Sequence, residues 1–361
     1  MAGKWCGVVL ISSALLLAGC KDDMTSDQRW VATATRQIVE DHIALAERTE
    51  KQVEQAQSFC REPSAAGLSK MQQRWRDSMS AWQQLQWVRF GPITDNNLDW
   101  KLQFWPDKKN ILQRKVQTLL ESGESISPQT LARASVVAQG FSAQELLLFD
   151  QGFASTQAFS AGHQCELLMA SSQLTADVTA QLAGHWQDKT WLEQWLQPPT
   201  TVADQSAAHS RAGELFDALL SQVERIKIDK LGEPLGMKTR DKKPNGYFAE
   251  SWRSQHSLHN IEQNLAAVES LITPRKGYGL FQYLKDQQHP EVAEELVIRF
   301  DNLQLALQQI EQPLNIAVMD DGRRQAVQAA VRNVGELASF LKQRVAPALG
   351  LALGFNANDG D

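Results

Sequence analysis

The sequence has few residues that interrupt regular structure: 12 prolines and 21 glycines are spread over 361 positions. Cysteine is scarcer still, with four in all, too few for a disulfide-built scaffold. Positive charge is not in excess, since 36 Lys and Arg stand against 42 Asp and Glu for a formal net charge of −6. That balance argues against a general electrostatic footprint on nucleic acid, and no nucleic-acid partner is expected. Several motifs are missing as well. There is no His-Glu-x-x-His, Cys-x-x-Cys, phosphate loop, dinucleotide fingerprint or Gly-x-Ser-x-Gly elbow, so the enzyme classes built on them have no support. Hydrophobic residues make up 43% of the chain, enough to bury a core and exclude a disordered protein.

The first twenty residues read as an address. Lys4 supplies a positive start, Val8 to Leu17 an apolar run, and Leu17-Ala18-Gly19-Cys20 a small-residue end. The run is short for a bilayer span and suits an export signal. Leu-Ala-Gly-Cys resembles the bacterial lipoprotein signal, which implies cleavage after residue 19 and acylation of Cys20. Lys21, rather than Asp, follows the cysteine. By the same resemblance this implies the periplasmic face of the outer membrane, with the membrane a partner through the lipid. Cys60 and Cys165 then remain as a pair in an oxidising compartment, and a disulfide between them is expected.

Helical periodicity runs through the rest. Residues 27–60 contain no Pro or Gly, and Trp75, Met79, Trp82 and Leu85 recur at helical steps within 68–88. Further helices are expected over 107–120, from Ser127-Pro128, over 154–183, near Trp191, and over 204–228, 247–272, 290–310 and 322–346. Ser127 before Pro128 is a start signal: an N-cap followed by proline at the first helical position. Strand signals are poor. The expected fold is all-α, with two helical bundles, 20–198 and 199–361, divided near Pro198-Pro199. Two halves of similar helical layout hint at a duplication, with Trp75-Arg76 and Trp252-Arg253 each expected on a long helix.

Candidate site residues each have a plain structural role beside a functional one. Arg89-Phe90-Gly91-Pro92 ends a helix, and Trp105-Pro106 starts the next. The five tryptophans from Trp75 to Trp105 form either a core layer or a pocket wall beside Arg89. Ser142 and Glu145 have capping-box spacing after Gly140; alternatively Glu145 faces a cleft as acid, base or ligand. Glu250-Ser251-Trp252-Arg253-Ser254 begins the expected helix over 247–272. A buried Arg253 needs a carboxylate, and Glu145 is the expected partner, joining the two bundles. His256, His259 and Glu262, and likewise His163, Cys165 and Glu166, carry metal-like spacings. Residues 354–361 resemble part of a calcium loop without its closing Glu.

Taken in order, Arg89 to Pro92, Trp105-Pro106, Gly140 to Phe149, Lys243-Pro244, Glu250 to Ser254 and Gly354 to Asp361 resemble the imelysin-like family over nearly all of the mature chain. The resemblance implies a duplicated all-α fold with its site in the groove between two bundles, export, and an association with iron acquisition. It also implies a metallopeptidase activity and a cofactor such as iron or another divalent metal, with Glu145 as a metal ligand. The family's Gly-x-His-x-x-Glu motif falls on Gly140, Ser142 and Glu145, so serine stands where the family has histidine. A hydroxyl is a poorer transition-metal ligand than imidazole. The reading that follows is a non-enzymatic protein binding a small molecule, metal or peptide, with a metal-dependent peptidase as the alternative. Arg89, Gly91, Pro92, Trp105, Pro106, Gly140, Ser142, Glu145, Glu250, Trp252, Arg253 and Ser254 would line its groove.

Overall fold

The computed structural model describes residues 24–196, 202–310 and 313–351. Among them every regular element is helical and none is a strand, as the periodicity predicts. The first half contains α1 (Ser26–Arg61), α2 (Ala65–Leu85), α3 (Leu98–Leu102), α4 (Ile111–Glu121), α5 (Pro128–Arg133), α6 (Gly140–Phe149), α7 (Thr156–Ala161), α8 (Gln164–Trp186) and α9 (Lys189–Leu196). The second contains α10 (Val202–Arg225), α11 (Ser257–Ile272), α12 (Leu280–Asp286), α13 (Pro290–Gln308), α14 (Leu314–Ala317), α15 (Arg324–Phe340) and α16 (Ala346–Ala348). Cys20, Pro198-Pro199 and residues 354–361 lie outside the described residues.

The starts of the helices follow local chemistry. Thr25 and Gln28 form a reciprocal capping box on α1. Ser127 caps α5 with Pro128 at its first position, and Pro290 opens α13. The helix expected from Asp107 begins at Ile111, because the Asp107 carboxylate accepts the Ile111 and Leu112 amides at 2.8 and 2.9 Å. The stretch expected as one helix over 154–183 is two, α7 and α8, separated at Gly162 and His163.

One buried core contains Trp30 and Ile38 of α1, Leu147 of α6, Phe216 of α10, Val268 of α11, Leu296 of α13 and Val334 of α15. The long α1 packs along α2 and α8 and also meets α10, while α2 lies on α11. The Trp30 indole N–H donates to the Leu271 carbonyl at 3.0 Å. The two halves of the chain therefore share apolar surface through α1 and α2. Cys60 and Cys165 are joined in a disulfide, their Cα atoms 5.5 Å apart, tying the end of α1 to the start of α8.

The largest departure lies at residues 246–256. A helix was expected from Tyr247, but α11 starts only at Ser257. Residues 246–248 form a 3₁₀ turn and the next residues wind through turns in which Ser251 and Gln255 have φ of 53° and 57°. A residue with positive φ cannot continue a right-handed helix. Trp252-Arg253 thus sits in a turn and Trp75-Arg76 within α2. The hint of duplication drawn from that pair does not hold.

Candidate functional site

α6 carries the central carboxylate. Residues 140–148 of this helix are all buried, as expected for a helix apolar on nearly every side. Gly140 starts it with φ of +66°, and a Cβ there would lie 2.3 Å from the Leu102 carbonyl oxygen. Only glycine allows α6 to approach α3 this closely. The Trp75 indole donates to the Phe141 carbonyl at 3.0 Å. The Gln144 amide accepts from Gln52 at 2.7 Å and donates to Thr175 at 2.9 Å. These bonds fix the rotation of α6, and with it the aim of Glu145.

The expected capping box at Ser142 and Glu145 does not form. The Ser142 hydroxyl donates to the Phe104 carbonyl at 2.9 Å, and Glu145 turns to the other half of the chain. Its Oε1 accepts both the backbone N–H and the hydroxyl of Ser254, at 2.9 and 2.8 Å. The expected Glu145–Arg253 ion pair is also replaced, since Arg253 pairs with Asp150 at 2.9 Å and lies over the Trp252 ring at 4.3 Å. Glu145 Oε2 has no hydrogen bond among the described residues. Burial pushes the Glu145 carboxyl above the usual range, and the Ser254 bonds and the Arg253 charge only partly oppose this.

Glu145 and Ser142 lie on a cavity of about 470 Å³, walled on one side by residues 103–113 and on the other by 245–253. Phe104, Trp105, Tyr247, Phe248 and Trp252 supply aromatic surface. The five tryptophans divide between the two readings: Trp75, Trp82 and Trp87 are core, whereas Trp105 faces the cavity and Trp100 is exposed. Pro106, Ser251 and Arg253 also line this cavity. Arg89, Gly91 and Pro92 do not. Gly91 lies against Trp186, Phe90 stacks on Trp195 with ring centres 6.0 Å apart, and Arg89 faces Asp99 at 3.5 Å.

Glu250 sits behind the cavity wall, and it recruits residues that sequence reasoning missed. Its carboxylate accepts from Lys230 at 2.7 Å, Gln103 at 2.9 Å, Asn260 at 3.1 Å, Gln83 at 3.2 Å and Gln86 at 3.3 Å. Burial alone would raise Glu250. The Lys230 charge and hydrogen bond, with Arg225 and Gln83, outweigh it and hold the carboxyl below its ordinary range. Burial in turn pulls the Lys230 ammonium down, against the attraction of Glu250. No local motif marks Lys230 or the amides, because they meet only in the fold.

A resident transition metal needs several protein donors, three even in open catalytic zinc sites. Among the described residues no group of three or more His, Cys, Asp and Glu could hold an ion. Ser142 and Asp107 are engaged with backbone groups. The side chains around Glu145 therefore do not fit a resident metal. His256 and His259 lie together, ring centres 4.5 Å apart, with Glu262 3.3 Å from His259, short of a donor set. His163 is 3.2 Å from Glu166, while Cys165 between them is bonded to Cys60.

The fold and this cavity define an all-helical protein of the imelysin type, and the chain belongs to the Imelysin (Peptidase_M75) family, whose model matches residues 38–341. It is 23% identical over 322 residues to Iron-regulated protein A of Synechococcus elongatus, a match covering 86% of this chain and 83% of that protein. An imelysin-like protein from Psychrobacter arcticum 273-4 has a similar fold, with a TM-score of 0.76 and 20% identity over 91% of this chain and 97% of its own. A solved chain from Parabacteroides distasonis ATCC 8503 gives a TM-score of 0.69 and 17% identity, over 90% and 96%.

Proposed function

We propose that the chain is an exported lipoprotein that binds a ligand at Glu145 without catalysing a reaction, in the service of iron acquisition. The observation that carries this reading is the half-satisfied carboxyl. Glu145 Oε1 is taken by Ser254, while Oε2 is left for a partner in an aromatic-walled cavity. A ligand bearing a hydrogen-bond donor suits the carboxylate, and an acceptor suits its protonated form. Flat apolar surface on the ligand would meet Trp105, Tyr247 and Trp252. The iron link is supported by the relative named Iron-regulated protein A. Cys20 would carry the lipid that holds the protein at the periplasmic face of the outer membrane. No helix among the described residues is long and apolar enough to cross a membrane.

The test is metal content and peptidase activity of the full chain in mild detergent, beside Glu145→Ala. Equilibrium dialysis against ferrous, ferric, zinc and manganese ions should leave less than about one tenth equivalent bound, given the missing donors. No peptide substrate should be cleaved faster than by the variant. Stoichiometric metal that disappears in Glu145→Ala, together with peptide cleavage, would replace this reading with the metallopeptidase.

A further inference from the structure

Trp105 and Pro106 also form a wall of a second hollow, of about 410 Å³, which holds Arg89, Asp99, Trp100 and Arg225. The charges around it are unequally answered. Arg89 faces Asp99 at 3.5 Å, and Asp229 is taken by Lys238 at 2.9 Å. Arg225 is half-buried and has neither a hydrogen bond nor an ion pair within 4.0 Å among the described residues. Its guanidinium carbon stands 5.8 Å from the centre of the Trp105 ring. Its main electrostatic attraction comes from Glu250, a carboxylate already bonded to Lys230 at 2.7 Å. Two cations thus share one carboxylate, and the surplus positive charge belongs to the residue that opens onto the hollow.

A guanidinium stays ionised in proteins and presents a planar fork of donors. Leaving that fork unbonded while partly desolvated is costly, and a carboxylate answers it with two parallel hydrogen bonds. The nearby carboxylates of Asp99 and Asp229 disfavour a second negative charge, so a monoanion fits better than a phosphate dianion. The indoles of Trp100 and Trp105 offer flat apolar surface for the rest of the molecule.

We propose that this hollow is a second binding site, separate from the Glu145 cavity, for a monocarboxylate with a flat apolar body. The carboxylate pairs with Arg225, and the body lies against Trp100 and Trp105.

The experiment is a calorimetric titration of the full chain in mild detergent with benzoate, benzyl alcohol and inorganic phosphate. Benzoate should bind saturably, and benzyl alcohol and phosphate at least about tenfold more weakly. Arg225→Met should cost benzoate at least about tenfold in affinity, with a far-ultraviolet spectrum and melting curve showing that the variant is folded. Should that variant not fold, Arg225→Lys, which keeps the charge but not the fork, should still weaken benzoate, and Trp100→Ala, at an exposed indole, should do so too. Glu145→Gln should leave benzoate affinity unchanged, which separates this site from the first cavity. The proposal is overturned by absence of saturable benzoate binding, by equal binding of benzyl alcohol, or by undiminished affinity in a folded Arg225 variant. A loss of benzoate binding in Glu145→Gln would likewise overturn it, by moving the ligand to the other cavity.

Discussion

Glu145 and Glu250 are two buried glutamates on either side of one cavity wall, and the protein treats them in opposite ways. Glu250 is surrounded by an ammonium and four side-chain amides, and it stays ionised. Glu145 has one serine on one oxygen and no ion-pair partner, and burial favours its neutral form. Burial alone therefore does not identify a functional acid. The saturated carboxylate is part of the framework, and the under-bonded one has capacity left for a ligand.

Breaking the framework side should have the largest effect. Lys230→Ala or Glu250→Ala leaves a buried charge without its partner and should cost about 3–5 kcal/mol, read by urea unfolding. The double variant Lys230→Met with Glu250→Gln should cost clearly less than the sum, because it strands no charge.

Acid sharpens the contrast with groups that, like Glu145, are held neutral. Burial brings His42 down to about 4 and His256 to about 4, from 6.5 in each case. Between pH 6.5 and 4 the unfolded chain binds these protons and the folded chain does not. The stability these two histidines contribute is therefore full above pH 6.5 and declines towards pH 4, by about 3 kcal/mol at most for His42 and less for the more exposed His256, while Asp41, which burial raises to about 6, contributes in the opposite direction as the pH falls through the same range. Unfolding curves across this range should show the parent losing more stability than His42→Gln between pH 6.5 and 4.

The smallest effect has the opposite sign. The folded-state pKa of Glu145 is raised, so ionisation of this group works against folding once the pH exceeds its unfolded value. Glu145→Gln should be neutral in acid and stabilising at pH 8. Melting temperatures of the two proteins at pH 4 and pH 8 would check this. A destabilised variant at pH 8 would mean that Glu145 belongs with Glu250.

The helical framework was legible because its signals are local. Ser127-Pro128, Pro290 and the unbroken run of α1 act within a few residues, and the structure follows them. Gly140 stands out in the sequence as the residue before the Ser142 and Glu145 spacing, and the carbonyls it must clear, on Lys101 and Leu102, are not legible there. The turns at 249–256 were missed because nothing in their composition forbids helix. They are held from outside, by Glu145 on Ser254 and by Asn260 on Ser251 and Glu250. The same explains the wrong partner for Arg253. Charge matching alone points Arg253 to Glu145, whereas the fold brings Asp150 to it, just past the end of α6. The Lys230 network includes a bond between residues 167 positions apart, beyond the reach of any spacing rule.

The disulfide between Cys60 and Cys165 closes a covalent ring whose ends are 105 positions apart. α6 and one wall of the Glu145 cavity lie inside that ring, while Ser254 and the other wall lie outside it. A protease that cuts an exposed turn such as 122–125 would open the ring without releasing a fragment, since both pieces stay tethered through sulfur. A nicked molecule could thus keep its cavity in an oxidising compartment and come apart only when a reductant reached it.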